Sequence, residues 1–133
     1  MSIKRYTAIT DTTIADAYKP NLVSKATGSN MGQADSLEIF KIYGQESETS
    51  VEESRILIKF PIRGTSEVSS SRTIKMDRDA NLIPASGSVK FYLKMYNVRH
   101  HSTVPSNYKL IARPLTKDWE EGLGVDMDEY SDH

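Results

Sequence analysis

The chain has 133 residues, with 17 basic and 18 acidic side chains, a formal net charge of −1 and no cysteine. A domain of this size buries roughly two thirds of the surface that its unfolded form exposes, and the missing thiols exclude disulfides, thiolate zinc and cysteine nucleophiles. Balanced, interspersed charge provides no field to hold a polyanion, the N-terminus lacks the apolar stretch of a secretion leader, and no apolar run approaches the ~20 residues that span a bilayer, so nucleic acid and membrane are not expected partners.

Residues 7–18, rich in Thr and Ile, suit one or two short strands, because β-branched side chains fit a pleated surface. Lys19-Pro20-Asn21 ends them, since proline has no N–H to give a ladder. Thr27-Gly28-Ser29-Asn30-Met31-Gly32 reads as a loop whose glycines are free to take positive φ. Leu37 to Tyr43 is a predicted strand with apolar residues on both faces: Leu37 and Ile39 on one, Phe40 and Ile42 on the other. Gly44 to Ser54 is predicted to be an exposed, polar connection.

Arg55 to Ile62 alternates clearly, with Ile56, Ile58, Phe60 and Ile62 on one face and Pro61 marking a strand end or an edge. The polar stretch Arg63 to Asn81 reads as a surface loop or a weak edge hairpin, a length that is unusual unless it binds something. Ser88 to Tyr96 has the strongest period of two in the chain. Val89, Phe91, Leu93 and Met95 share one face, and Lys90, Tyr92, Lys94 and Tyr96 the other. After a turn region over Asn97 to Ser106, Tyr108 to Leu115 is a further strand ending at Pro114. No long stretch repeats apolar residues at i, i+3, i+4 and i+7, so the expectation is six to eight short strands. They would form an all-β, antiparallel β-sandwich of the jelly-roll kind, as one domain over residues 1–133, with residues 124–133 an acidic docking tail or a cut-off end.

Few residues offer chemistry. Asp77-Arg78-Asp79-Ala80-Asn81 starts like a calcium loop, but the sixth and twelfth places hold Leu82 and Ser88 where that motif needs Gly and Glu, so it reads as a polar turn. His100 and His101 are adjacent and the third histidine is His133, a spacing that does not converge rings on a metal. The carboxylates of Asp126, Asp128, Glu129 and Asp132 are spaced to hold Ca²⁺, although a solvated acidic end explains them better. Glu120 and Glu121 alone prove no glycosidase pair. No catalytic site and no cofactor are expected, and the chain is read as non-enzymatic. Candidate binding residues are the aromatics Trp119, Tyr92, Tyr96 and Tyr108, as a stacking platform or a protein anchor.

Five segments in order carry a resemblance: Thr13 to Tyr18, Thr27 to Gly32, Ser54 to Ile62, Ile83 to Leu93, and Thr116-Lys117-Asp118-Trp119-Glu120-Glu121-Gly122. Together they resemble the DNRLRE-type β-sandwich domain, most like those of tailed, marine-phage virion proteins. The resemblance implies a jelly-roll-like sandwich in a virion structural protein: a capsid decoration, neck or tail component assembled in the host cytoplasm. Its partners would be other virion proteins or further copies of itself. The alternative that it implies is a carbohydrate-binding module or a phage adhesin domain for host polysaccharide. Domains of this kind continue past the Trp-x-Glu-Gly segment, so the sequence is expected to be a fragment or a sandwich completed by a neighbour.

Overall fold

The structure, a computed structural model, describes residues 3–19, 21–26, 29–64, 72–84, 87–99 and 107–125. Its regular elements are strands β1 (Thr10–Ala15), β2 (Lys41–Tyr43) and β3 (Val51–Lys59), and one short helix, α1 (Ile74–Asp79). The strands form one antiparallel sheet in the order β1-β3-β2. This predominance of strand is compatible with an all-β class. The chain divides into two compact units, residues 1–90 with 121–133, and residues 91–120. No helix among the described residues is long and apolar enough to cross a membrane.

β3 is the central strand. Thr10 pairs with Lys59 and Ala15 with Ser54 on one side, while Lys41 pairs with Glu53 and Tyr43 with Val51 on the other. It starts inside the stretch expected to be a connection, because the Glu46, Ser47 and Ser50 turn is tighter than the polar composition suggests. The Ser50 hydroxyl accepts from the amides of Glu46 and Ser47 and donates to the carbonyl of Ser47, at 3.1, 3.2 and 2.9 Å. That closes a turn whose Gly44 takes φ 77°, a region that glycine enters without steric cost. β3 stops before Pro61, as a residue without an N–H dictates.

Within the stretch 63–81, expected to be a loop or hairpin, residues 65–71 lie outside the described residues and Ile74–Asp79 form α1 instead. Thr73 caps it, its hydroxyl accepting from the Met76 amide at 3.1 Å, and Asn81 at φ 55° turns the chain out of it. The predicted strands at 88–96 and 108–115 are not strands here. Their described residues belong to no ladder, and Phe91, Leu93, Met95, Leu110 and Ile111 are exposed. Alternation fixes which face a strand would bury, but a ladder also needs a neighbouring edge to take up its amides.

The buried interior is small and largely polar. Ala15, Ala26, Met31 and Ile83 are buried with Thr12, Thr13, Ser29, Ser50, Glu52, Ser54, Thr73 and Asp77. Thr13 Oγ1 accepts from the Glu38 amide at 3.0 Å, Ser54 Oγ accepts from the Phe40 amide at 2.8 Å, and Glu52 accepts from the Tyr18 amide at 3.0 Å. Hydroxyls and a carboxylate thus satisfy backbone groups of segments that leave the sheet, which makes their burial tolerable.

The outer edge of β1 is closed by two loops. The Asp11 amide donates to Glu121 Oε1 at 3.0 Å and the Met31 amide to the Thr13 carbonyl at 2.9 Å. Asn30 Oδ1 accepts from the amides of Gly32 and Gly124, at 3.3 and 2.9 Å, and so ties the two loops together. Gly32 is needed for closeness, not for positive φ: a Cβ there would collide with the carbonyls of Glu121 and Gly122. Gly32→Ala is expected to destabilise the chain by about 1–3 kcal/mol through forced backbone movement. Gly64→Ala, which meets open space, should change stability by no more than about 0.5 kcal/mol; urea unfolding of the two variants compares them directly.

Candidate functional site

The four aromatic residues expected to bind all lie in the unit of residues 91–120. Tyr92 is 82%, Tyr96 78% and Tyr108 66% exposed, while Trp119 is half-buried. Lys94 Nζ stands 4.8 Å from the Tyr96 ring centroid, so one face of that ring already has a cation over it. His100, His101 and His133, and the carboxylates Asp126, Asp128, Glu129 and Asp132, lie outside the described residues.

Exposure in this unit extends to its apolar side chains. Phe91, Leu93 and Met95, the apolar face predicted for residues 88–96, are 69, 53 and 47% exposed; Leu110, Ile111 and Leu115 are exposed as well. Residues 88–115 also carry five cations, Lys90, Lys94, Arg99, Lys109 and Arg113, and no carboxylate. The combination is an apolar surface of positive charge.

The sheet offers a complementary feature. Asp16 and Ile9 donate to the carbonyls of Glu53 and Lys59, so the odd residues of β3 turn their backbone groups to β1. Ser54 donates to Phe40, and Gly44 to Ser50, so the even residues face β2 and the even residues around β2 face β3. The alternation of an antiparallel ladder then turns the N–H and C=O of Lys41 and Tyr43 outward. It also leaves those of Ile56 and Ile58 facing the side where β2 has already ended. Among the described residues none of these groups meets a backbone partner. Of the two alternatives at Pro61, the strand end holds, since β3 stops at Lys59; residues 55–59 are paired with β1 on one side and have no strand on the other among the described residues.

A second cluster surrounds Asp77, which is only 2% exposed. Tyr6 Oη donates to Asp77 Oδ2 at 2.6 Å, Lys4 Nζ lies 3.7 Å from the same oxygen, and the Arg72 guanidinium pairs with Oδ1. These groups line an open groove of about 430 Å³ with Arg5, Ile9 and Pro61. The aspartate read as part of a polar turn is therefore the anchor that ties the N-terminal segment to α1. Its local sequence does not mark it, because two of its partners, Tyr6 and Lys4, are more than 70 residues away and only Arg72 is near.

The hydrogen bond from Tyr6 holds the Asp77 carboxyl below its usual range against the opposing effect of burial, and the charges of Arg72 and Lys4 add to it. Burial, with the hydrogen bond and charge of Asp77, pushes the Tyr6 hydroxyl up to about 12. No protein-family model, no curated protein and no solved structure matches the chain.

The anchor should leave a signature in pH. A lowered carboxyl contributes stability that is present above its unfolded pKa, about 4, and is lost as pH falls through the lower folded value. A raised phenol contributes stability that is present below about 10 and lost as pH climbs toward about 12. The urea midpoint should therefore fall at both extremes, and Tyr6→Phe should flatten the alkaline limb while lowering the midpoint at neutral pH. An unchanged alkaline limb in Tyr6→Phe would remove this hydrogen bond from the account.

Proposed function

We propose that the chain is a non-enzymatic structural protein of a tailed-phage particle, a jelly-roll-like β-sandwich completed by a neighbouring chain. In this reading it serves as a capsid decoration, neck or tail component. The observation that carries its assembly role is the exposure of two alternating apolar segments, residues 88–96 and 108–115, outside any ladder. Covering one Phe, Leu, Ile or Met side chain contributes about 1.5–3 kcal/mol, so six such residues left in water constitute a strong drive to associate. The phage setting rests on the ordered motifs that resemble virion domains of the DNRLRE type.

A second reading, a carbohydrate-binding module or phage adhesin domain, is favoured by the exposure of Tyr92 and Tyr108, since open aromatic faces stack on sugar rings. The two readings separate by experiment. Purified particles, analysed by mass spectrometry and by labelling with an antibody to the chain, should contain it in fixed stoichiometry. A stable monomer absent from particles would defeat the structural reading. Glycan-array binding that is lost in Trp119→Ala or Tyr92→Ala would establish the second.

A further inference from the structure

We infer that the outer edge of β2 receives residues 89–95 of a second copy of the chain as an added strand. The inference rests on the reading of the chain as an assembling subunit and names the partner of that surface. An added strand needs two things: an edge with free amides and carbonyls, and a segment whose alternation gives it one apolar face. Lys41 and Tyr43 present the first, and Val89, Phe91, Leu93 and Met95 the second.

Charge selects both the site and the partner. Residues 36–54 hold five carboxylates; Glu52 is buried against the Tyr18 amide and Glu53 pairs with Lys41 and Arg55, which leaves Glu38, Glu46 and Glu48. Glu46 and Glu48 are exposed in the turn that follows β2, and Ile42 and Tyr43 of that strand are exposed too. A segment with Lys90 and Lys94 and no acid is drawn to that edge. Residues 55–64, around the other open stretch at Ile56 and Ile58, contain no carboxylate, so that stretch does not attract such a segment. The same lysines oppose pairing of two 89–95 segments with each other, since antiparallel alignment about Tyr92 sets Lys90 against Lys94. The donor of one copy therefore meets the acidic edge of the next, a head-to-tail contact that makes rings or filaments according to its rotation.

The chain has no native cysteine, so single-cysteine variants report the contact cleanly. Ile42→Cys would be mixed with Phe91→Cys, Leu93→Cys or Met95→Cys in turn under mild oxidation, and the products sized. A mixed disulfide dimer in at least one mixture is expected. Light scattering of the unmodified chain should give at least twice the 15.0 kDa monomer mass, and Glu46→Lys/Glu48→Lys should weaken the association, most at low ionic strength.

A monomer with no mixed disulfide in any of the three mixtures would overturn the inference. So would a double variant that forms its disulfide within one chain, because the same chain would then fill its own edge. Cross-linking to itself by a chain absent from particles would sink the phage reading and leave this contact standing. Presence in particles without any mixed disulfide would do the reverse.

Discussion

The arrangement of this chain depends on satisfying the backbone groups along the two sides of one small sheet. Central β3 has β1 on one flank and β2 on the other, so each outer strand must find partners for a row of outward amides and carbonyls. On the β1 side this is solved within the chain. Glu121, Met31 and the Asn30 amide side chain bring the 29–33 and 121–124 segments onto that edge, and Gly32 lets the two backbones approach where a Cβ has no room. On the β2 side the edge stays open among the described residues. This asymmetry gives the sheet one closed flank and one that is open among the described residues.

The same requirement explains the composition of the interior. A sheet this small buries few large side chains, and the buried places beside its strands hold Thr13, Ser54 and Glu52, whose oxygens take the amides of crossing segments. Asp77 does the corresponding work at α1, gathering Tyr6, Lys4 and Arg72 around one buried carboxylate. Polar groups buried with their partners specify where loops attach, because a misplaced loop would leave a buried group unsatisfied at a cost of about 1–3 kcal/mol.

Periodicity made some of this legible. The β-branched run gave β1, the alternation at Arg55 to Ile62 gave much of β3, and Pro61 gave its end. The N-terminal part of β3 was hidden because Glu52, Glu53 and Ser54 look like loop residues until their pairing and burial are known. α1 was hidden because six residues offer too few turns for a helical period, and its cap Thr73 is an ordinary polar residue until the Met76 amide is placed beside it. Residues 29–32 were legible as part of a loop. That Gly32 serves close approach to Glu121 was not, since the two are far apart in the chain.

The sequence alone determined what is local: the absence of thiol chemistry, the balance of charge, the faces of the alternating segments, and the residues at which proline must end a strand. Tertiary structure decided which of those segments find an edge. A period of two states where side chains would point and says nothing about what is beside the strand. For Val89 to Met95 the pattern is as clear as for β3, yet only β3 lies between two neighbours, because ladder hydrogen bonds are made between segments and are not a property of either one.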